Sequence, residues 1–144
     1  MSLSGAYDPD NVFAKILRGE MPAVKVYEDG RVLAFLDVFP QSEGHVLVIS
    51  KISQARNLIE AEPQVLQDLM LTAQRIAAAV PTALDCDGVS IMQFNGAAGG
   101  QTVFHLHLHV IPRWVGRSMG GHGDGKMANI DDLKATAARI SAAL

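Results

Sequence analysis

The sequence is poor in the features that mark secreted, membrane-bound and nucleic-acid-binding proteins. It contains one cysteine, Cys86, in 144 residues, so no disulfide bond can form within the chain, which is typical of a reducing compartment. No apolar run approaches the roughly 18 residues of a membrane span, and the first residues lack the basic and apolar regions of a secretory signal. The 12 Lys and Arg against 15 Asp and Glu give a net charge of −3, whereas nucleic-acid binding favours a basic face. We therefore expect a cytoplasmic protein that has neither a membrane nor a nucleic acid as its partner.

Strand and helix patterns follow one another in an order that predicts an α+β domain with an antiparallel sheet of about five strands. Apolar residues at helical spacing follow Pro63 and predict one long helix, which we expect Pro81 to end. Asp29 and Gly30 form a hairpin signal between two apolar runs. The predicted strands cover residues 24–28, 31–37, 45–50, 88–94 and 104–111, and two shorter helices cover residues 11–18 and 130–144, the last with Asn129 as its N-cap.

The length suits a single domain with its own hydrophobic core. We expect an N-terminal tail over residues 1–10 and the domain over residues 11–115. Residues 116–144 would form a glycine-rich loop, at 116–125, and a C-terminal helix packed on the domain.

Three of the five histidines, His105, His107 and His109, alternate with leucines. Alternate side chains of a β-strand point to the same face, so a strand here would place all three imidazoles on one face. Imidazole gains and loses a proton near neutral pH, and the row therefore indicates a reaction site. The other face of the strand would carry the apolar side chains of Phe104, Leu106, Leu108 and Val110.

Zinc binding is one alternative, because His-x-His on a strand is a spacing found in metal sites. The outer two histidines of a straight strand lie about 13 Å apart, so one zinc with bonds of about 2.0–2.1 Å cannot take all three. Two of them could bind together with a further ligand, for which His45 is a candidate. Three surface histidines without a function are another alternative.

Nucleophilic and acid–base catalysis at phosphorus is a third interpretation, because neutral imidazole is a nucleophile and imidazolium is a proton donor. Residues 95–102 are mostly small and precede the histidines. Such a loop can direct its backbone N–H groups toward phosphate oxygens. Asn95, Gln101 and Thr102 would add side-chain donors. The sequence thus places a candidate phosphate site directly before a row of imidazoles.

The motif His-Leu-His-Leu-His-Val-Ile at residues 105–111 resembles the signature of the histidine triad family, in which three histidines alternate with hydrophobic residues. Segments 13–22, 34–40, 44–49 and 95–103 also resemble the family, and the likeness runs from about Asn11 to Pro112. It is closest to the nucleotide-binding members that act on purine nucleotides, while the ending after Pro112 resembles bacterial forms. The resemblance implies the family's fold, no cofactor, and a homodimer whose sheet continues across the interface.

The resemblance also implies a catalytic role for four histidines. His107 would attack the α-phosphorus of a nucleotide conjugate and form a nucleotidyl-histidine intermediate, which water would hydrolyse to the nucleoside monophosphate. His109 would bind the phosphate and protonate the leaving group. His105 and His45 would orient His107 and fix its tautomer.

The substrate-binding residues are implied in the same way. Asp37 would accept hydrogen bonds from the ribose hydroxyls. The phosphate would be bound by Asn95, Gly100, Gln101 and Thr102. The base pocket would be lined by Val12, Phe13, Phe35 and Val38.

Some family members bind structural zinc through a Cys-x-x-Cys motif and two histidines, which here would be His45 and His105. The cysteine positions hold Asn11 and Ala14, so we expect no metal. The resemblance leaves three functions open: cleavage of purine nucleoside phosphoramidates or related conjugates, cleavage of dinucleoside polyphosphates, and nucleotide binding with little turnover.

Overall fold

A computed structural model describes residues 2–120 and 126–144. The remaining positions of the predicted glycine-rich loop, His122 among them, lie outside the described residues. The elements are helix α1 (Val12–Leu17), strands β1 (Lys25–Glu28), β2 (Val32–Leu36) and β3 (Val46–Ser50), helix α2 (Pro63–Leu84), strands β4 (Gly88–Met92) and β5 (His107–Arg113), and helix α3 (Ile130–Ala142); a 3₁₀ turn at Ala97–Gly99 precedes β5.

The five strands form one antiparallel sheet in the order β1-β2-β3-β5-β4, which confirms the predicted α+β class. The histidine strand β5 is therefore internal, with β3 and β4 as its neighbours. Leu108 lies opposite Val48 and His109 lies opposite Leu47. Because successive side chains of a strand take opposite faces, the leucines of the motif join the main core while the histidines point to the other face.

Helices α2 and α3 pack against the leucine face of the sheet and close the main core. Each helix contributes one apolar stripe, and removal of these stripes from water is the main force that holds the layers together. The stripes include Leu69, Ile76 and Val80 from α2 and Leu133 and Ile140 from α3.

Helix α1 packs on the histidine face. Asn11 caps it, because its side-chain oxygen accepts hydrogen bonds from the backbone N–H groups of Phe13 and Ala14, both at 3.0 Å. The cap sets the start of the helix and so places Phe13 against the sheet. Around Phe13 lies a second apolar cluster with Leu33, Phe35, Leu47 and Ile49.

Helix α2 does not end at Pro81, as predicted, but continues to Leu84. Proline removes one backbone N–H from a helix and leaves its own carbonyl free to accept. The Pro81 carbonyl accepts a hydrogen bond from the N–H of Asp85 at 2.9 Å, and Asp85 ends the helix in the left-handed conformation with φ 55°. Leu84 is 6% exposed, so the burial of this last turn offsets the lost hydrogen bond.

Strand β5 begins at His107 instead of residue 104, and it runs through Pro112 to Arg113. The proline is tolerated because β3 pairs with β5 only as far as Val110, whereas Pro112 lies opposite a residue of β4. Phe104 does not fill the core face as predicted. It is half-buried, and the guanidinium of Arg56 lies 5.0 Å from the centre of its ring.

Residues near both ends of the chain contact the central sheet and loops. Near the N-terminus, the side-chain amide of Asn57 donates to the carbonyl of Leu3 at 2.9 Å. Near the C-terminus, the Ser141 hydroxyl on α3 donates to the carbonyl of Val26 on β1 at 2.7 Å. None of the helices in residues 2–120 and 126–144 combines the length and the apolar character that a bilayer crossing needs.

Candidate active site

His107 is the first residue of β5, and its tautomer is set by a backbone carbonyl. Its Nδ1 lies 2.7 Å from the carbonyl oxygen of His105. A carbonyl oxygen can only accept, so Nδ1 carries the proton and Nε2 keeps the lone pair of a neutral imidazole. We expected the imidazoles of His105 and His45 to fix this tautomer; the group that does so is instead the main chain of His105. His107 is thereby prepared to act as a nucleophile or a base through Nε2.

His109 belongs to a chain of hydrogen bonds that starts at a loop amide. The backbone N–H of Gln41 donates to Nδ1 of His45 at 3.1 Å. His45 in its neutral form must then carry its proton on Nε2, which lies 2.9 Å from Nδ1 of His109. His45 therefore donates this hydrogen bond and Nδ1 of His109 accepts it. Neutral His109 consequently carries its proton on Nε2. His109 can therefore donate a hydrogen bond from Nε2, and His45 sets this tautomer through its own hydrogen bond to Nδ1 of His109.

Asp37 lies beside this pair of histidines. It is 5% exposed, its Oδ1 accepts from the backbone N–H of Phe39 at 2.8 Å, and its Oδ2 lies 3.8 Å from Nε2 of His45. A carboxylate at this distance stabilises any positive charge that the two imidazoles gain during a proton transfer.

His105 is the most buried histidine of the motif. It is 1% exposed, its Nε2 lies 3.3 Å from the carbonyl oxygen of Ser50, and its Nδ1 lies 2.7 Å from the hydroxyl of Tyr7. Burial lowers the pKa of His105 from its ordinary value of 6.5 to about 4; the nearby His107 acts in the same direction and the Ser50 carbonyl opposes it. His105 is therefore neutral at physiological pH and takes no part as an acid.

A cavity of about 350 Å³ opens beside the two remaining histidines of the motif. Its volume is within the usual range of small-molecule sites. The polar residues of its lining are Asp37, Thr102, His107 and His109, and the remainder of its wall is apolar. All five residues predicted to bind the nucleoside line it, namely Val12, Phe13, Phe35, Asp37 and Val38, and so does Met127 from the segment before α3.

The loop 95–102 differs from the phosphate site that the sequence predicts. Gln101 is 3% exposed, and its amide binds the N–H of Gly96 and the carbonyls of Arg56 and Val103. The amide of Asn95 is likewise engaged by protein groups, the N–H of Leu58 and the side chain of Gln93. These two predicted phosphate ligands therefore hold the loop together.

The backbone N–H groups of the loop are also largely used within the protein. Those of Gly96, Ala97, Gly99, Gly100 and Gln101 all donate to protein acceptors. Gly100 has φ 104°, and a Cβ there would lie 3.2 Å from the ring of Phe94, so the position needs glycine for conformation and space. Of the four predicted phosphate ligands, Thr102 is the one that lines the cavity.

A family model described as the HIT domain matches residues 18–115, which is more than half of the chain. The chain is a member of the HIT family. This family is one of nucleotide-binding proteins and hydrolases.

Three similar proteins illustrate the range of relatives of this HIT protein. Adenylylsulfatase HINT3 from Arabidopsis thaliana is 38% identical over 125 residues, which span 83% of this chain and 63% of that protein. A solved Hit-like protein involved in cell-cycle regulation from Bartonella henselae, with an unknown ligand, has 45% identity and a TM-score of 0.91, covering 97% of this chain and 100% of the other. A zinc-bound histidine triad family protein from Mycobacterium smegmatis has 35% identity and a TM-score of 0.81, covering 93% and 92%.

The residues of this HIT protein do not fit a structural zinc of the Cys-x-x-Cys kind. Asn11 uses its side-chain oxygen as a helix cap, and Ala14 has no ligand atom. The two histidines expected beside them have separate partners, because His45 is hydrogen-bonded to His109 and His105 is hydrogen-bonded to Tyr7.

A second set of possible ligands, from Asp37, His45 and His109, has its atoms within 4.8 Å of one another. A tetrahedral zinc with bonds of about 2.0–2.1 Å would keep two nitrogens roughly 3.3 Å apart. The nitrogens of His45 and His109 are 2.9 Å apart, which is a hydrogen-bond distance. The geometry therefore favours a hydrogen bond between these histidines over a zinc ion that both would bind.

Gln41, Tyr7 and Met127 are among the residues at the site that were not predicted from the sequence. Gln41 contributes only its backbone N–H, which no side-chain pattern can indicate. Tyr7 belongs to the segment expected as a tail, and Met127 follows the glycine-rich stretch. Both lie outside the part of the sequence that resembles the family.

Proposed function

We propose that this HIT protein cleaves purine nucleoside phosphoramidates and related nucleotide conjugates at the α-phosphorus, with His107 as the nucleophile. The observation that carries the proposal is the hydrogen bond of 2.7 Å from Nδ1 of His107 to the carbonyl oxygen of His105. It leaves Nε2 with its lone pair on a residue that lines a cavity of nucleoside dimensions.

In the first step, Nε2 of His107 forms a bond to the α-phosphorus while the bond from phosphorus to the leaving amine breaks. For this step the His45–His109 pair carries one additional proton taken from solvent, and the positive charge lies beside the Asp37 carboxylate. The proton on Nε2 of His109 goes to the leaving nitrogen while the proton between the two histidines moves to Nδ1 of His109, so that both imidazoles become neutral and Nε2 of His109 has a lone pair. The products of this step are a nucleotidyl-histidine and a free amine.

In the second step, water attacks the same phosphorus and the bond to His107 breaks. Nε2 of His109 now accepts a proton from that water, which restores both histidines to their starting forms. The product is a nucleoside monophosphate. The carboxylate of Asp37, 3.8 Å from His45, stabilises the charge that develops on the two imidazoles.

Substrate binding divides between the two ends of the cavity. The purine would lie between the apolar side chains that include Phe13 and Phe35, whose rings are 5.5 Å apart at an angle of 74°. Asp37 would accept from the ribose hydroxyls. The phosphate would lie against Thr102, His107 and His109, because the other predicted ligands in the loop are engaged by the protein.

The decisive experiment is to trap the covalent intermediate. The protein is mixed briefly with a labelled adenosine phosphoramidate and quenched in alkaline denaturant, since nitrogen–phosphorus bonds to imidazole are labile to acid. We expect one adenylyl group per chain by intact mass, and none on His107→Ala, with circular dichroism to show that the variant is folded. An adduct on His107→Ala, or equal turnover by both proteins, would exclude His107 as the nucleophile.

The leaving group is examined by comparing kcat/KM for an adenosine phosphoramidate, a dinucleoside polyphosphate and adenylyl sulfate. The last is included because a relative is named as an adenylylsulfatase. We expect the phosphoramidate to be preferred. A nucleoside monophosphate that binds tightly while no conjugate turns over would instead indicate a binding protein.

We also propose that the protein is a homodimer joined at the edge strand β4. The opposite edge, β1, receives the Ser141 hydroxyl of α3 on the carbonyl of Val26. On β4, Ile91 is 43% exposed, although it belongs to a strand. Light scattering after gel filtration is expected to give twice the chain mass, and Ile91→Lys is expected to give the mass of one chain.

A further inference from the structure

The carbonyl that fixes His107 belongs to a residue outside the regular sheet. Strand β5 begins at His107, and the pairing of β3 with β5 starts at the same residue. The backbone of His105 is therefore not held by the hydrogen bonds of the strand ladder. The next residue, Leu106, gives one anchor, from its N–H to the carbonyl of Ala55 at 3.0 Å.

The remaining anchors of His105 act through its side chain. Nε2 faces the Ser50 carbonyl, which can only accept, so Nε2 carries the proton of the neutral ring. Nδ1 is then an acceptor, and the hydroxyl of Tyr7 donates to it at 2.7 Å. The Tyr7 ring also meets the imidazole edge to face, with ring centres 5.7 Å apart and an angle of 62°.

Tyr7 is itself held on both sides along the chain. On the N-terminal side, the carbonyl of Leu3 accepts from the side chain of Asn57, which is fully buried. On the C-terminal side, the carbonyl of Asp8 accepts from both the backbone N–H and the side-chain amide of Asn11, at 3.2 and 2.8 Å. The phenol is thus placed against His105 by a segment that is fixed at two points.

We propose that Tyr7 is a positioning residue for the nucleophile. Its hydroxyl holds the ring of His105, and the ring holds the carbonyl that orients His107. The inference rests on the proposed function for its kinetic consequence, and the hydrogen-bond path from Tyr7 to His107 can be tested without any substrate.

The test compares Tyr7→Phe with Tyr27→Phe, the same change at the only other tyrosine. The Tyr27 hydroxyl donates to Asp29 beside β1, and strands β2 and β3 separate β1 from β5. Loss of one hydrogen bond in Tyr7→Phe is expected to lower kcat about three- to tenfold. KM should stay within about twofold, because Tyr7 does not line the cavity among the described residues. Tyr27→Phe should keep the wild-type kcat.

Nuclear magnetic resonance of the histidine rings gives the second readout. In Tyr7→Phe, the nitrogen signal of His105 Nδ1 should move because its donor is gone, and the Nδ1–H proton of His107 should move because its acceptor has shifted. Tyr27→Phe should change neither signal. If the His107 proton is unmoved and kcat is unchanged in Tyr7→Phe, Tyr7 only stabilises the fold and the proposal is wrong. If the wild type cleaves no conjugate, the proposed function fails, and the resonance of His107 alone decides the role of Tyr7.

Discussion

The burial of His105 predicts a defined loss of stability in acid. Its pKa is about 4 in the folded protein against 6.5 ordinarily, so between these values the unfolded chain binds more protons than the folded one. The free energy of unfolding must therefore fall as the pH falls through this window. Between about pH 7.5 and about pH 4.5, this single group lowers it by about 2 to 3 kcal/mol. Below about pH 3 the contribution no longer changes with pH, because His105 is then protonated in both states.

The substitution His105→Gln isolates this contribution. Glutamine does not titrate, and its amide nitrogen can still donate to the Ser50 carbonyl. Urea unfolding of both proteins at the two pH values gives the cost of the substitution at each. We expect that cost to be about 2 to 3 kcal/mol smaller at the lower pH, because the other acid-sensitive groups are common to both proteins. If the cost is equal at both pH values, within about 0.5 kcal/mol, the conclusion that folding lowers the pKa of His105 is wrong.

Further substitutions separate residues that hold the fold from residues that meet the substrate. Gln101→Ala is expected to lower the free energy of unfolding by about 2 to 3 kcal/mol, because it removes three hydrogen bonds, two of them buried; a KM effect without a stability loss would contradict this. Thr102→Val is expected to raise KM for a nucleotide conjugate and leave the thermal midpoint unchanged, because Thr102 is exposed at the cavity. Asn11→Ala is expected to cost about 1 kcal/mol through loss of the α1 cap, and unchanged urea unfolding would exclude the cap. Phe35→Ala is expected to cost about 3 to 5 kcal/mol and to weaken purine binding in calorimetry, since Phe35 is 3% exposed and also lines the cavity.

The elements that could be predicted from the sequence are those whose signal is local. The long helix after Pro63, the hairpin at Asp29 and the alternation around His107 all depend on patterns within a few residues. The end of α2 could not be predicted, because the turn after Pro81 is held by the burial of Leu84 in the core. Local propensity carries no information about such a tertiary contact.

At the candidate site, the sequence pattern indicates which histidines lie near the cavity but not how their hydrogen bonds connect them. His107 and His109 lie at the cavity as expected, while their tautomers depend on a carbonyl of His105 and on an N–H of Gln41. Every residue has these backbone groups, so no residue type indicates which of them will be used. The amide of Gln101 has the right chemistry for phosphate and is instead part of the loop's own hydrogen bonding.

The alternation in β5 restricts which changes in chain length this protein can accept. Leu108 belongs to the core and the histidines on either side of it line the cavity of the candidate site, so one strand carries both on opposite faces. Insertion of a single residue after His107 would turn His109 toward the helices and Leu108 toward the cavity, whereas deletion of Leu108 would put Val110 in the place of His109. Either change is expected to lower stability and activity together. New substrate preferences are therefore expected to arise by substitution at wall positions outside this strand, such as Val12 and Val38.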